Sequence, residues 1–270
     1  MMSKPKANYF VAKGSGPWYN DDCWRDIDKI TNVNKSIPNQ ATVTCNNDVT
    51  DMCLMFSECH SLESLDLSNF DTSKVTDMSL MFEGCRNLTT LDLSDFDTSN
   101  VTLMNDMFSG CYKLTTLDLS DFNTSKVDTL ETMFCNCINL TTLDLSNFDT
   151  TNVDDMSHMF GNCENLTTLD LSSFNTSNVT EMHNMFDSCS KLTSVDISNF
   201  DTSNVTKMWK MFYGCSNLTT IKGIIDMKSC EDYEDMFYNC PKLKGVKIKN
   251  PPAEFESVSG LSKSQYTVIY

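Results

Sequence analysis

From Leu62 onward, apolar residues recur in a fixed frame of 26 positions. In the first full unit, Leu62, Leu65 and Leu67 are followed by Phe70, and then by Val75, Met78, Met81, Phe82 and Cys85. Ser64, Asp66 and Ser68 alternate with the leucines, which predicts a short strand with one buried face. Met78, Met81, Phe82 and Cys85 fall at i, i+3, i+4 and i+7, which predicts a short helix with a single apolar stripe. Asp77 would then stand at the helix start, where a carboxylate meets unpaired amides. Between the two segments, Asp71, Thr72 and Ser73 predict a tight turn, because short polar side chains bond nearby backbone.

Leu88, Leu114, Leu140, Leu166 and Leu192 open five more units of the same length, and Leu218 opens one that is a residue shorter. Upstream, residues 36–61 fit the frame weakly through Val49, Met52, Met55, Phe56 and Cys59. One unit alone cannot bury its apolar positions, whereas stacked units bury them in columns. Each large apolar side chain so buried contributes roughly 1.5–3 kcal/mol. The expected fold is therefore an α/β solenoid with one short strand and one short helical turn per coil, about eight coils plus caps. The expected divisions are a cap over 1–35 with Trp18, Tyr19 and Trp24, a solenoid over 36–249, and a cap or tail over 250–270. The terminal run Tyr266–Tyr270 has the β-propensity to cover a sheet edge.

Composition narrows the partners. Aspartate and glutamate outnumber lysine and arginine by 37 to 20, a net charge of −17. That balance argues against nucleic acid, whose affinity depends on cationic side chains displacing counterions, and against an anionic membrane surface. No apolar run approaches the ~18 residues of a membrane span, and no secretory or lipidation signal is expected. Of 13 cysteines, eight share one slot: Cys59, Cys85, Cys111, Cys137, Cys163, Cys189, Cys215 and Cys240. They read as a buried column of thiols. A line of sulfurs one coil apart does not form a metal tetrahedron. Cys23, Cys45, Cys53, Cys135 and Cys230 lie outside it, and the odd total points to folding in a reducing cytoplasm.

The unit as a whole, LxxLxL followed by a distal M-F-x-x-C-x-x-L, resembles the BspA-like (Treponema-type) leucine-rich repeat of bacterial surface proteins, which phage-encoded proteins also carry. The resemblance covers about four-fifths of the chain. It implies adhesion or recognition, on a bacterial cell surface or as part of a phage virion, with a protein or a carbohydrate of a bacterial or host surface as partner.

The residues themselves offer two candidate contact surfaces. Asp66, Asp92, Asp118, Asp144, Asp170 and Asp196 repeat at one outward strand position. Like charges at the ~4.8 Å spacing of strands repel by roughly 0.8 kcal/mol per pair even at the dielectric of water. The stripe reads either as a duplicated consensus or as a face for calcium or a basic partner. The second surface is where units differ, on the helical side: Leu80, Arg86, Tyr112, Glu131, Ile138, His158, Glu164, His183, Trp209, Lys210 and Tyr213. Trp209 and Tyr213, four apart, form a contact patch on a helix face, and Tyr112 is a third aromatic candidate. His158 and His183 occupy adjacent slots of successive coils, which brings them near each other. No phosphate loop, GxSxG or HExxH is present. The expectation is a protein that is not an enzyme, with no catalytic residues, metal or cofactor. It is either a recognition module or a structural spacer that docks to a larger assembly through its ends.

Overall fold

The computed structural model describes residues 30–34, 40–45 and 49–270. Each unit closes one coil, and equivalent residues of successive coils lie side by side. The rings of Phe56, Phe82, Phe108, Phe134, Phe160, Phe186, Phe212 and Phe237 stack in one column at centroid separations of 5.2–5.8 Å. Val75, Met78, Met81, Phe82 and Cys85 have no solvent exposure, and their counterparts in later coils join them in one continuous core.

The expected helical turn is replaced by something else. The amides of Leu80, Phe82 and Gly84 donate to the carbonyls of Asn105, Met107 and Ser109 in the next coil, at 2.9, 2.9 and 2.7 Å. The intervening amides of Met81, Glu83 and Cys85 turn back three residues, onto Met78, Leu80 and Phe82. An α-helix sends every amide four residues back along its own axis. Here alternate amides cross between coils, and parallel bridges join Asp51, Asp77, Leu103, Thr129, Asp155, Glu181, Lys207 and Asp232 in one ladder. Leu80 (φ 56°) and Gly84 (φ 67°) are left-handed, a conformation with no place inside an α-helix, and later coils repeat the pair. Linked turns set Met78, Met81, Phe82 and Cys85 inward just as a helix would, so the apolar spacing fits both. Asp77 caps no helix, and its Oδ1 accepts the Ser79 amide at 2.9 Å. The α/β class with a helix in each coil is thus corrected to a solenoid of strands and turns. Among the described residues the one helix is α1 (Phe255–Val258), which follows the array.

The strand side is also shorter than expected. β1 (Ile30–Asn34) pairs antiparallel with β2 (Gln40–Cys45), which is parallel to β3 (Ser64–Asn69) and so to β4 (Thr90–Leu91). β5 (Ser194–Asp196) and β6 (Thr220–Lys222) form a parallel pair. β7 (Ile225–Asp226), β8 (Val246–Lys249) and β9 (Tyr266–Ile269) form a parallel three-stranded sheet. Residues 114–119, 140–145 and 166–171 are extended without a ladder. Asp118 Oδ1 takes the Ser120 amide at 3.0 Å where the chain turns after Leu119, and the equivalent Asp66–Ser68 bond lies inside β3. The amide and hydroxyl of Thr141 both reach Thr115 O there, at 3.2 and 3.3 Å.

Between the two sides runs a column of buried hydroxyls. Thr72, Thr98, Thr124, Thr150, Thr176 and Thr202 are at most 1% exposed. The Thr150 hydroxyl donates to Asn175 O at 2.9 Å and accepts the Asn175 amide at 2.8 Å, so one side chain satisfies both backbone groups of a residue in the next coil. The cysteine column works in the opposite direction along the stack. Cys137 Sγ donates to Phe108 O at 3.2 Å, and Cys111, Cys163, Cys189 and Cys215 do the same to their own preceding coils.

At the far end the donors of the last turn segment find acceptors in the tail. Asp235 N donates to Val258 O at 2.9 Å and Phe237 N to Ser259 O at 2.7 Å, while Phe255 and Leu261 are buried against the core. Gly260 (φ 83°) makes this approach possible, since a Cβ there would lie 2.8 Å from the Tyr238 amide nitrogen. β9 pairs along β8 from Val246↔Tyr266 to Lys249↔Ile269. The aromatic cap expected at Trp18, Tyr19 and Trp24 lies outside the described residues, as does Cys23.

Two measurements check this architecture. The far-UV circular dichroism spectrum should lack the strong double minimum that eight helical turns would give. Thr150→Val should lower stability by about 1–3 kcal/mol in urea unfolding, because it leaves a buried amide and carbonyl unpaired, while Thr150→Ser should retain most of it.

Candidate functional site

The strand face carries the aspartate stripe, and each carboxylate there has a local task. All six aspartates are exposed. Oδ1 of Asp66, Asp92, Asp118, Asp144, Asp170 and Asp196 accepts the amide of the serine two residues on, at 2.9–3.1 Å. Those serine hydrogen bonds hold the carboxyls of Asp92, Asp118, Asp144, Asp170 and Asp196 below the usual carboxylate range. From Asp92 onward the same bonds sit where the extended segment turns, whereas that of Asp66 lies within β3. A hollow between Asp92 and Asp118, with Ser94 and Ser120 on its walls, measures about 40 Å³. Ligand pockets run to roughly 300 Å³ and more. Lys222 closes the stripe with its Nζ 3.4 Å from Asp196 Oδ2. Among the described residues no three His, Cys, Asp or Glu side chains are placed to hold a metal ion.

The turn face is different, because its outward positions change from coil to coil and several of them converge. The rings of His158 and His183 meet edge to face at 5.2 Å. His183 stacks on Trp209 at 4.7 Å and 14°, and His158 stands 6.2 Å from the same indole. Lys210 Nζ lies 5.9 Å from the Trp209 ring and 5.3 Å from that of Tyr213, a cation held between two π faces. Tyr213 stacks on Tyr238 at 5.3 Å. Beneath the rings, Glu181 places Oε1 3.0 Å from Lys207 Nζ and Oε2 3.3 Å from His183 Nδ1. The second contact is close enough for ion pairing but is not aligned as a hydrogen bond, so Glu181 Oε2 and His183 Nδ1 are buried without one. Ser157 Oγ and Asn184 Oδ1 share that condition. Burial, and then the neighbouring His183, lower the pKa of His158.

The expected pair of Trp209 and Tyr213 is therefore real as a neighbourhood, though no helix makes it. Both are half-buried, and Lys210 links them. Tyr112 stands apart, with Arg86 5.6 Å from its ring. Glu181, Lys207 and Tyr238 were not singled out in the sequence. The signal was available, since Glu181 and Lys207 occupy one slot of adjacent coils, and Tyr238 occupies the slot of Tyr213.

Toward the other end, the same face carries the half-buried Glu83 and Asp106 and the more exposed Glu131. Burial raises the carboxyls of Glu83, Asp106 and Glu131. Burial likewise pushes the thiols of Cys135 up to about 11 and of Cys137 and Cys240 up to about 12, so they stay protonated and are poor nucleophiles near neutral pH. A carboxyl raised on folding stabilises below its unfolded value and loses that contribution as pH rises through its folded value. Asp106→Asn, at a left-handed position (φ 57°) that suits asparagine, should raise the urea midpoint at pH 7 and leave it unchanged near pH 3.

Two stretches of the chain, residues 50–143 and 136–250, match the family described as "Mycoplasma protein of unknown function, DUF285". No curated protein matches the chain. Among solved structures, a leucine-rich repeat protein from T. pallidum is 15% identical, with 78% of this chain and 87% of that chain covered and a TM-score of 0.39. A leucine-rich repeat protein from Bacteroides ovatus is 17% identical, covering 90% and 76%, with a TM-score of 0.33. A leucine-rich cell surface protein from Faecalibacterium prausnitzii is 17% identical, covering 87% and 92%, with a TM-score of 0.25. At these identities and scores the likeness is descriptive, and function has to be read from the chain's own surface. The two family matches together span most of the repeat array, and the chain belongs to the DUF285 family.

Proposed function

We propose that the chain is a non-catalytic recognition module whose turn face, centred on Trp209, engages a protein displayed on a bacterial or host cell surface. The observation that carries this reading is the contrast between the two faces. On the strand face the aspartates repeat almost unchanged and their carboxylates close local turns. On the turn face the variable positions assemble Trp209, Tyr213, Tyr238 and Lys210 into one patch. Tryptophan and tyrosine are among the side chains that most often anchor protein interfaces. A sugar would want an aromatic face free for stacking, whereas one face of Trp209 is on His183 and Lys210 approaches the ring. The aspartates are a poor basis for catalysis, because acid–base work needs two carboxyls driven apart in pKa and these are shifted in one direction.

The test is capture from envelope fractions followed by affinity measurement at pH 7.5. Trp209→Ala should weaken binding by about 2 kcal/mol or more, roughly thirtyfold. Asp118→Ala should leave it unchanged. Loss with Asp118→Ala alone would move the contact to the strand face. Binding indifferent to both substitutions would favour a structural spacer that docks through its ends.

A further inference from the structure

The cluster under the Trp209 patch contains two imidazoles whose edge-to-face packing leaves little room for two positive charges. Resting on the reading that this patch is the contact surface, we infer that His158 and His183 form a latch that presents Trp209 when both rings are neutral and releases it when both take up protons. The release is a swing of the His158 ring out to solvent.

The charged groups around the pair decide this. The coil before His158 supplies Glu131. Its own coil supplies Asp155, the next supplies Glu181 and Asp187, and the one after that supplies Lys207 and Lys210. A proton on His183 Nδ1 is met by the Glu181 carboxylate at 3.3 Å. That carboxylate is already shared with Lys207. A second proton, on His158, has no ion-pair contact among the described residues, and Asp187 and Asp155 favour it only from farther off. Asp155 Oδ1 is held by the Ser157 amide at 2.7 Å. Asp187 is held on both oxygens, by Asn184 Nδ2 at 2.6 Å and Ser188 Oγ at 2.7 Å. The doubly protonated pair would thus be two cations with ring centroids 5.2 Å apart, beside two lysines.

The backbone cannot relieve the strain. His158 N is bonded to His183 O at 2.9 Å, and its carbonyl accepts the Gly161 amide at 2.9 Å. Only the side chain is free to leave, and its departure uncovers the edges of His183 and Trp209. The lowered pKa of His158 agrees with this geometry. A base whose folded pKa is depressed stabilises above its unfolded value, here 6.5, and loses that contribution as pH falls through its folded value.

The experiment uses the full chain and two readouts. Tryptophan emission is recorded from pH 8 to about pH 5, the range in which imidazoles change charge. The same titration of Trp209→Phe is subtracted, which removes Trp18 and Trp24. The expected result is a Trp209-dependent loss of emission below about pH 6.5, with the far-UV circular dichroism unchanged. In His158→Asn the loss should disappear, because no second ring is left to take up a proton and swing out. Asparagine suits this left-handed position and already fills it one coil on, at Asn184 (φ 55°). In the unaltered protein, the His158 ring resonances should titrate below the ordinary imidazole value and lose their proximity to Trp209 as they do, which tests the latch even if a variant fails to fold. A flat Trp209 signal, a transition retained in His158→Asn, or a His158 ring that takes up a proton without leaving Trp209 would each overturn the latch. Partner affinity of Trp209→Ala at pH 7.5 is a separate measurement. Its failure with the emission step intact removes the recognition reading alone, and a flat emission curve with affinity lost removes the latch alone.

Discussion

Everything in this fold depends on backbone amides that leave their own coil. On the turn side alternate amides point onward and pair with carbonyls of the next coil, so each turn segment is completed by its neighbour. Buried backbone groups must be paired, and this segment has no helix in which to pair them. The stacking is therefore obligatory for local structure as well as for burying the core. It also places each residue beside its own counterpart one unit away. Phenylalanines consequently stack, threonine hydroxyls bridge, and thiols donate to carbonyls, each in a continuous file.

The same rule creates a difficulty for charge, and the molecule meets it in two ways. Along the strand face, aspartates that would repel one another each accept a serine amide, and that bond keeps the carboxylate ionised and locally useful. Along the turn face the acids are partly buried, and the carboxyls of Glu83, Asp106 and Glu131 are raised. The cationic and aromatic residues of the Trp209 region interrupt this acidic file. That interruption gives the face a distinct place.

Much of the architecture could be read from the sequence, because period and burial are linked. Leu65, Leu67, Met78, Met81, Phe82 and Cys85 are all buried as their spacing requires. What spacing could not tell was which hydrogen bonds lie behind it. Turns with left-handed residues at Leu80 and Gly84 place the same side chains inward as a helix does, and Leu80 gives no hint of a positive φ. The strands were overestimated because the Asp–Ser pair reads the same inside β3, at Asp66 and Ser68, as at the turn of Asp118 and Ser120. At the candidate site, adjacency of His158 and His183 followed from the repeat frame. The roles of Glu181 and Lys207 did not, since they depend on side-chain reach across a coil boundary.

The tail contributes more than burial. The crossing amides of the segment Met78–Gly84 and of its counterparts face one way along the stack, so the two ends of the array are chemically unlike there. Val258 and Ser259 fill the last acceptor places, and Gly260 lets that segment lie flat on Tyr238. The array thus has a reading direction and a stop signal. Another copy arriving at that end finds the places on the turn side taken, and there the length of the stack is set by where a segment that accepts without passing on the pattern occurs in the chain.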